Sequence, residues 1–203
     1  MNKIDSLNLM HKSFEEMILG HPLKKSPDVF SIAKLFGRSD LTQSQRVQLG
    51  TRVEIWVNYL LDAHEDIISI KGKNSNLWMN TKTNEISFGG KGTGLKDIDI
   101  LFNKTGTTYY LESKTNLCLD TEKGPETIEK VETITECLRN NEDYSNVVGK
   151  IVSAFWDETT VPISSSISKS GLVMWFGELS ELLNLGITKS DYETKCKELG
   201  KLL

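Results

Sequence analysis

The sequence predicts an α/β fold, a central mixed β-sheet flanked by helices. Three observations support this. Apolar residues recur at helical spacing through the first third, the period changes to strand-like alternation in the middle, and two short apolar runs follow a later amphipathic helix.

Each element has its own signal. Residues 5–19 place Leu7, Met10, Phe14, Met17 and Ile18 on one helical face, ending at Gly20 with Pro22 beyond. Ser26-Pro27-Asp28 sets a capping residue, a first-turn proline and an acid in order, predicting a short helix over 28–36 closed by Gly37. A longer helix over 41–63 carries the stripe Leu49, Val53, Trp56, Val57 and Leu60, widened by Ile55 and Leu61. Residues 66–71, 76–80 and 85–88 read as short strands between polar turns. Strands over 95–102 and 108–117 follow, joined by Asn103-Lys104-Thr105-Gly106-Thr107 as a hairpin link. An acidic helix over 125–139 turns Ile128, Val131, Ile134 and Leu138 to one side. Residues 150–156 and 171–176 read as buried strands, separated by a polar loop over 157–170. Ser190-Asp191-Tyr192-Glu193 is a capping-box start for a last helix.

Composition narrows the chemistry. A chain of 203 residues is the size of one domain and needs no disulfide or metal staple to fold. Cys118, Cys137 and Cys196 stand far apart, so reduced thiols and a cytoplasmic setting are expected. His11, His21 and His64 show no metal-ligand spacing, which leaves oxygen ligands and hence Mg²⁺ or Mn²⁺ for any metal. No apolar run approaches the ~18 residues of a membrane span, so no membrane partner is expected. The net charge of -4 argues at first against nucleic acid. However, Lys71, Lys73, Lys82, Lys91 and Lys96 with one acid, Glu85, give that stretch +4 and leave -8 for the remainder. A basic stretch on an acidic body is compatible with a local phosphate-binding surface.

The segments Lys96-Asp97-Ile98-Asp99 and Glu112-Ser113-Lys114 hold the chemistry. Alternation places Asp97 and Asp99 on one strand face, with Ile98, Ile100 and Phe102 on the other. It places Glu112 with Lys114 in the same way. With Thr105-Gly106 as a two-residue loop, positions summing to 211 pair, so Asp99 lies opposite Glu112 and Asp97 opposite Lys114. A type I turn with a bulge would instead pair 103 with 107 and flip one set. Carboxylates held this close suit a divalent cation, and a neighbouring lysine suits an attacking water and developing phosphate charge.

Gly50-x-x-x-Glu54 on a helix, then Asp99, then Glu112-x-Lys114, resembles the PD-(D/E)XK nuclease superfamily, and within it the type II restriction endonucleases. The resemblance covers about residues 49–152 and implies a restriction-endonuclease-like core of order α-β-β-β-α-β. It implies a single nuclease domain, with a helical extension over 1–40, the catalytic core over 41–156, and a recognition loop with C-terminal strand and helices over 157–203. Asp99 and Glu112 would be metal ligands, Lys114 the water-orienting residue and Glu54 an additional carboxylate. No proline precedes either aspartate, so Asp97 stays open as the principal ligand in place of Asp99. The implied activity is Mg²⁺-dependent, site-specific hydrolysis of double-stranded DNA leaving 5′-phosphates, with Mn²⁺ able to substitute. The implied setting is the bacterial cytoplasm and the implied assembly a homodimer. The alternatives are another nuclease of the superfamily, junction-resolving or repair, and a non-catalytic DNA-binding subunit.

DNA contacts are expected from polar and basic side chains in two segments, Lys73, Asn74, Asn76, Lys82 and Lys91 in the first and Ser164, Ser165, Ser166 and Lys169 in the second. The acidic helix should turn away from phosphate. Gly89-Gly90-Lys91-Gly92-Thr93-Gly94 is not a P-loop, because its glycines lead into a strand, and no nucleotide cofactor is expected.

Overall fold

The computed structural model describes residues 3–20, 34–38, 43–72, 75–115 and 117–201. Most of the helix expected over 28–36 lies outside them, as do Lys73 and Asn74. The elements run α1 (Lys3–Gly20), α2 (Gln43–Asp62), β1 (Ile67–Ser69), β2 (Leu77–Asn80), β3 (Glu85–Phe88), β4 (Leu95–Ile98), β5 (Ile100–Lys104) and β6 (Thr107–Lys114). They continue as α3 (Lys123–Arg139), β7 (Val148–Ser153), a 3-10 turn (Glu158–Thr160), α4 (Ser165–Ser170), β8 (Val173–Met174), α5 (Phe176–Leu182) and α6 (Lys189–Gly200). No helix among the described residues is long and apolar enough to cross a membrane.

The α/β class holds. A five-stranded sheet of order β1-β5-β6-β7-β8 forms the centre, antiparallel through β1, β5 and β6 and parallel through β6, β7 and β8. Alternation along its strands feeds two cores. Ile100, Phe102, Leu111 and Val152 face α1, α2, α5 and α6, where Trp56 stacks on Phe176 and Tyr192 at 4.9 and 5.8 Å between ring centroids. Leu101, Tyr110 and Ile151 face α3 on the other side, with Val131, Ile134 and Leu138 against them.

Sequence and structure diverge at four places, one of them the start of the last helix, where Thr188 and Asp191 form the capping box instead of Ser190 and Glu193. The strand expected over 95–102 is two strands in two sheets: β4 leaves at Asp99 and joins a separate three-stranded sheet of order β3-β2-β4. Ile98 therefore packs with Leu77 and Met79 in the α3 core, while Ile100 and Phe102 pack in the α2 core. They do not share a face as alternation predicted, because the chain turns between them. Next, the apolar run 171–176 gives only two strand residues, and Phe176 opens α5 instead. Gly177 permits that helix to start against Trp156, since a side chain there would press on the Trp156 carbonyl oxygen at 2.9 Å. Last, the loop expected over 157–170 contains the 3-10 turn and α4, whose Ile167 is buried beside α3.

The hairpin register is resolved. Ile100 pairs with Leu111 and Lys104 with Thr107, so partners sum to 211 and Thr105-Gly106 is a two-residue loop. Both loop residues have positive φ, +50° at Thr105 and +80° at Gly106, as a type I′ turn requires. A β-branched residue is strained there, whereas Asn-Gly suits such a turn. Thr105→Asn is therefore expected to raise the unfolding free energy by ~1 kcal/mol, read as a higher urea midpoint at unchanged slope.

Candidate active site

The site lies where β4 departs from β5. At that break Asp99 sits between the two sheets, nine-tenths buried. The β4 pairing stops one residue before it and the β5–β6 pairing starts one residue after it, and its Oδ2 accepts the Ser113 amide hydrogen bond at 2.8 Å. The side chain thus takes over a position that strand pairing no longer fills. Continuing the register by one pair sets Asp99 opposite Glu112. Asn58 on α2 ties the break to the helix, its Nδ2 donating to the Asp99 carbonyl at 3.3 Å and to the Glu54 carbonyl at 3.1 Å. The Asn58 Oδ1 is buried and has no hydrogen-bond partner among the described residues.

Glu112 is 2% exposed and sits among donors. Lys114 Nζ lies 2.6 Å from its Oε1, Lys130 Nζ 2.7 Å from its Oε2, and the Tyr110 hydroxyl donates to Oε2 at 2.8 Å. Glu112, Lys114 and Tyr110 stand together because residues 110, 112 and 114 alternate onto one face of β6. Glu54, on the half-buried edge of the α2 stripe, pairs with the buried Lys71 at 2.6 Å. Gly50, one turn earlier on α2, lies against Thr115 just past the end of β6, where an added Cβ would make an ordinary contact with the Thr115 hydroxyl at 3.4 Å.

The structure thus brings Asp99, Glu112 and Lys114 together and places Glu54 close enough for its charge to act on Asp99. Asp97 is placed differently from the expectation. It pairs with Trp78 of β2, not with Lys114, because β4 belongs to the smaller sheet. Its side chain is 60% exposed and bonds Lys130 at 3.0 Å. Glu126, Glu129, Glu132 and Glu136 are exposed, but Lys130 turns inward to the site. Lys130, Tyr110 and Asn58 escaped sequence reasoning, and Lys71, read only as part of a basic surface stretch, is instead buried against Glu54. For Lys130 a signal existed, since it falls on the inward α3 stripe with Thr127, Val131 and Ile134.

The residues expected to touch DNA are dispersed. Asn76 precedes β2 and is exposed, Lys82 is exposed in the β2–β3 turn, and Lys91 is exposed in the loop between β3 and β4. Ser164 occupies the N-cap position of α4 without a capping hydrogen bond from its side chain, and Ser165 and Lys169 are exposed on that helix. Ser166 is not free as a loop residue would be. It packs on α3, where a side chain at Gly124 would come within 2.6 Å of its hydroxyl.

Electrostatics follow from burial and crowding. Burial, then the charges of Glu112 and Glu54, push the Asp99 carboxyl up from 3.8 to about 7, against the pull of Lys130 and Lys114. Burial opposes the charge on Lys130, but Asp99, Glu112 and Asp97 outweigh it and raise its pKa. Burial would also raise Asp97, yet the charge and hydrogen bond of Lys130 hold it below its ordinary value. Burial, then Glu112 and Asp99, lift the Tyr110 hydroxyl well above its usual range, so it stays a donor.

The donor set, carboxylates alone, suits a hard divalent cation such as Mg²⁺. Four carboxylates (Glu54, Asp97, Asp99, Glu112) face three ammonium groups (Lys71, Lys114, Lys130). Added positive charge would relieve the crowding that raises Asp99. Among the described residues, however, no three His, Cys, Asp or Glu side chains stand arranged around one metal position. Lysines occupy Glu112, so an entering cation must displace one of them.

No family model matches the sequence, and no curated protein matches it significantly. Among solved structures, the chain is similar to Can2 from Sulfobacillus thermosulfidooxidans in complex with cyclic tetra-adenylate, at 14% identity and a TM-score of 0.35. The similarity covers 97% of this chain and 52% of that one, so the chain spans about half the length of that relative. A likeness of this size carries no functional argument.

Asp99 has a pH signature. Between roughly pH 4 and 7 the folded chain retains a proton that the unfolded chain has released, so stability falls as pH rises through that window and levels off above it. In EDTA, Asp99→Asn is expected to match wild type near pH 4. It should exceed it at pH 8 by a few kcal/mol, on the order of 3, by urea unfolding at each pH.

Proposed function

We propose that this chain is a Mg²⁺-dependent endodeoxyribonuclease of the type II restriction kind, hydrolysing phosphodiester bonds of double-stranded DNA to leave 5′-phosphates. The observation that carries this reading is the convergence of Asp99, Glu112 and Lys114 at the break between the two sheets, with Glu54 brought up by α2.

Asp99 and Glu112 would hold the cation, with Glu54 as a further carboxylate. When bound, such an ion polarises the phosphate and makes its water acidic enough to attack near neutral pH. The chain's own residues do the rest. The Ser113 amide fixes Asp99 and the Tyr110 hydroxyl fixes Glu112, so neither carboxylate must be ordered when substrate arrives. Lys114, tethered to Glu112 and 30% exposed, positions the attacking water and offers positive charge to the phosphate as negative charge grows on it. Asn76, Lys82 and Lys91 beside the small sheet, and Ser164, Ser165 and Lys169 around α4, are the candidate DNA contacts. Mn²⁺ is expected to replace Mg²⁺. One chain offers one such site and a duplex has two strands, so a two-fold homodimer is the economical assembly.

A second reading has its own observation. Both oxygens of Glu112 are already held by ammonium groups, as in a purely structural ion-pair cluster. A non-catalytic DNA-binding subunit would look the same.

Incubation of the purified chain with Mg²⁺ and phage DNA separates the readings. Discrete bands support the restriction reading, and cleavage confined to branched DNA supports a junction-resolving relative. No cleavage with either substrate supports the binding subunit. Glu112→Gln and Lys114→Ala are each expected to slow cleavage by on the order of 10²–10³-fold with an unchanged far-UV spectrum. Full activity in both variants would overturn the catalytic assignment. The acidic body of the chain also predicts weak sequence-blind DNA binding in EDTA. Filter binding tests it, and tight binding without metal would contradict it.

A further inference from the structure

Lys130 has no part in the mechanism above, yet it holds the carboxylate on which that mechanism depends. Its side chain is 17% exposed, and its ammonium bridges Glu112 Oε2 at 2.7 Å and Asp97 Oδ1 at 3.0 Å. It is also the inward cation of a helix whose glutamates at 126, 129, 132 and 136 point to solvent.

The two carboxylates it bridges differ. Glu112 is buried and keeps other donors, Lys114 on Oε1 and the Tyr110 hydroxyl on Oε2. Asp97 is exposed on the smaller sheet. A Mg²⁺ or Mn²⁺ ion approaches a carboxylate oxygen to ~2.1 Å. It cannot share Glu112 Oε2 with an ammonium 2.7 Å away without strong repulsion between like charges. If Lys130 left, Lys114 and Tyr110 would keep Glu112 aimed. Lys130 would keep Asp97 as a partner on the open side.

We propose that Lys130 is a displaceable counter-cation: it holds Glu112 in the metal-free chain, yields that carboxylate when a divalent ion binds, and turns outward on Asp97. The proposal rests on the cation site described under the proposed function. It makes Lys130 a positioning residue that sets cation affinity, so the metal-free site stays neutralised at the expense of weaker metal binding.

The test uses Mn²⁺ alone, without DNA, on the full chain. By calorimetric titration, Lys130→Met, which keeps the apolar stem, is expected to bind Mn²⁺ about tenfold more tightly than wild type. Lys130→Arg, which keeps the charge, should stay within about twofold of it. On the wild-type chain, acetic anhydride labelling read by mass spectrometry is expected to rise several-fold at Lys130 on adding Mn²⁺. It should stay constant at Lys150, which bonds the Gly171 carbonyl instead. The labelling decides by itself if Lys130→Met does not fold. Equal Mn²⁺ affinities in wild type and Lys130→Met, or Lys130 labelling unmoved by bound Mn²⁺, would overturn the counter-cation and leave the nuclease reading standing. No Mn²⁺ binding by any of the three chains would overturn the cation site, and the counter-cation with it.

Discussion

Two buried carboxylates, Asp99 and Glu112, are the constraint around which the rest of the site is arranged. Neither is cheap to keep charged away from water. The fold meets that cost for Glu112 with two ammonium groups and a phenol hydroxyl, and for Asp99 with a backbone amide and the more distant charges of Lys114 and Lys130. Compensation of Asp99 is incomplete, which is why its carboxyl titrates near 7. Perturbed groups of this kind cluster at functional sites, though structural ion-pair networks show them too.

The break at Asp99 makes the arrangement possible. Were β4 and β5 one strand, residues 97 and 99 would share a face and Asp97 would stand opposite Lys114. Instead the chain crosses from one sheet to the other, and the acid before the turn is delivered to the outer rim while the acid at the turn is buried. The two aspartates therefore have different environments and different roles. Asp99 belongs to the inner cluster, and Asp97 serves as the exposed end of the Lys130 bridge.

The sequence already carried much of this. Alternation in β6 placed Glu112 with Lys114, the Thr105-Gly106 loop offered the register that the structure selects over a bulged alternative, and the stripe of α2 left Glu54 on its edge. These are local properties, set by the two-residue period of a strand, by the backbone a two-residue turn demands, and by the 3.6-residue period of a helix. The helical start at Phe176 was not legible, because an apolar run of strand length is ambiguous until its neighbours are known. Lys71 and Lys130 were hidden for a related reason. A lysine's role depends on which carboxylate lies across from it, and those lie 17 or more positions away along the chain.

By itself, then, the sequence determined the α/β class and the pairing of an acid with a lysine on one strand face, and narrowed the hairpin to two registers, since each follows from neighbours within a few residues. Only the tertiary structure decided that the strand splits at Asp99, that Asp97 is carried to a second sheet, and that helix α3 turns a lysine onto Glu112. Those outcomes depend on competition among distant segments to bury apolar surface and to neutralise the same carboxylates, and no local period encodes who wins.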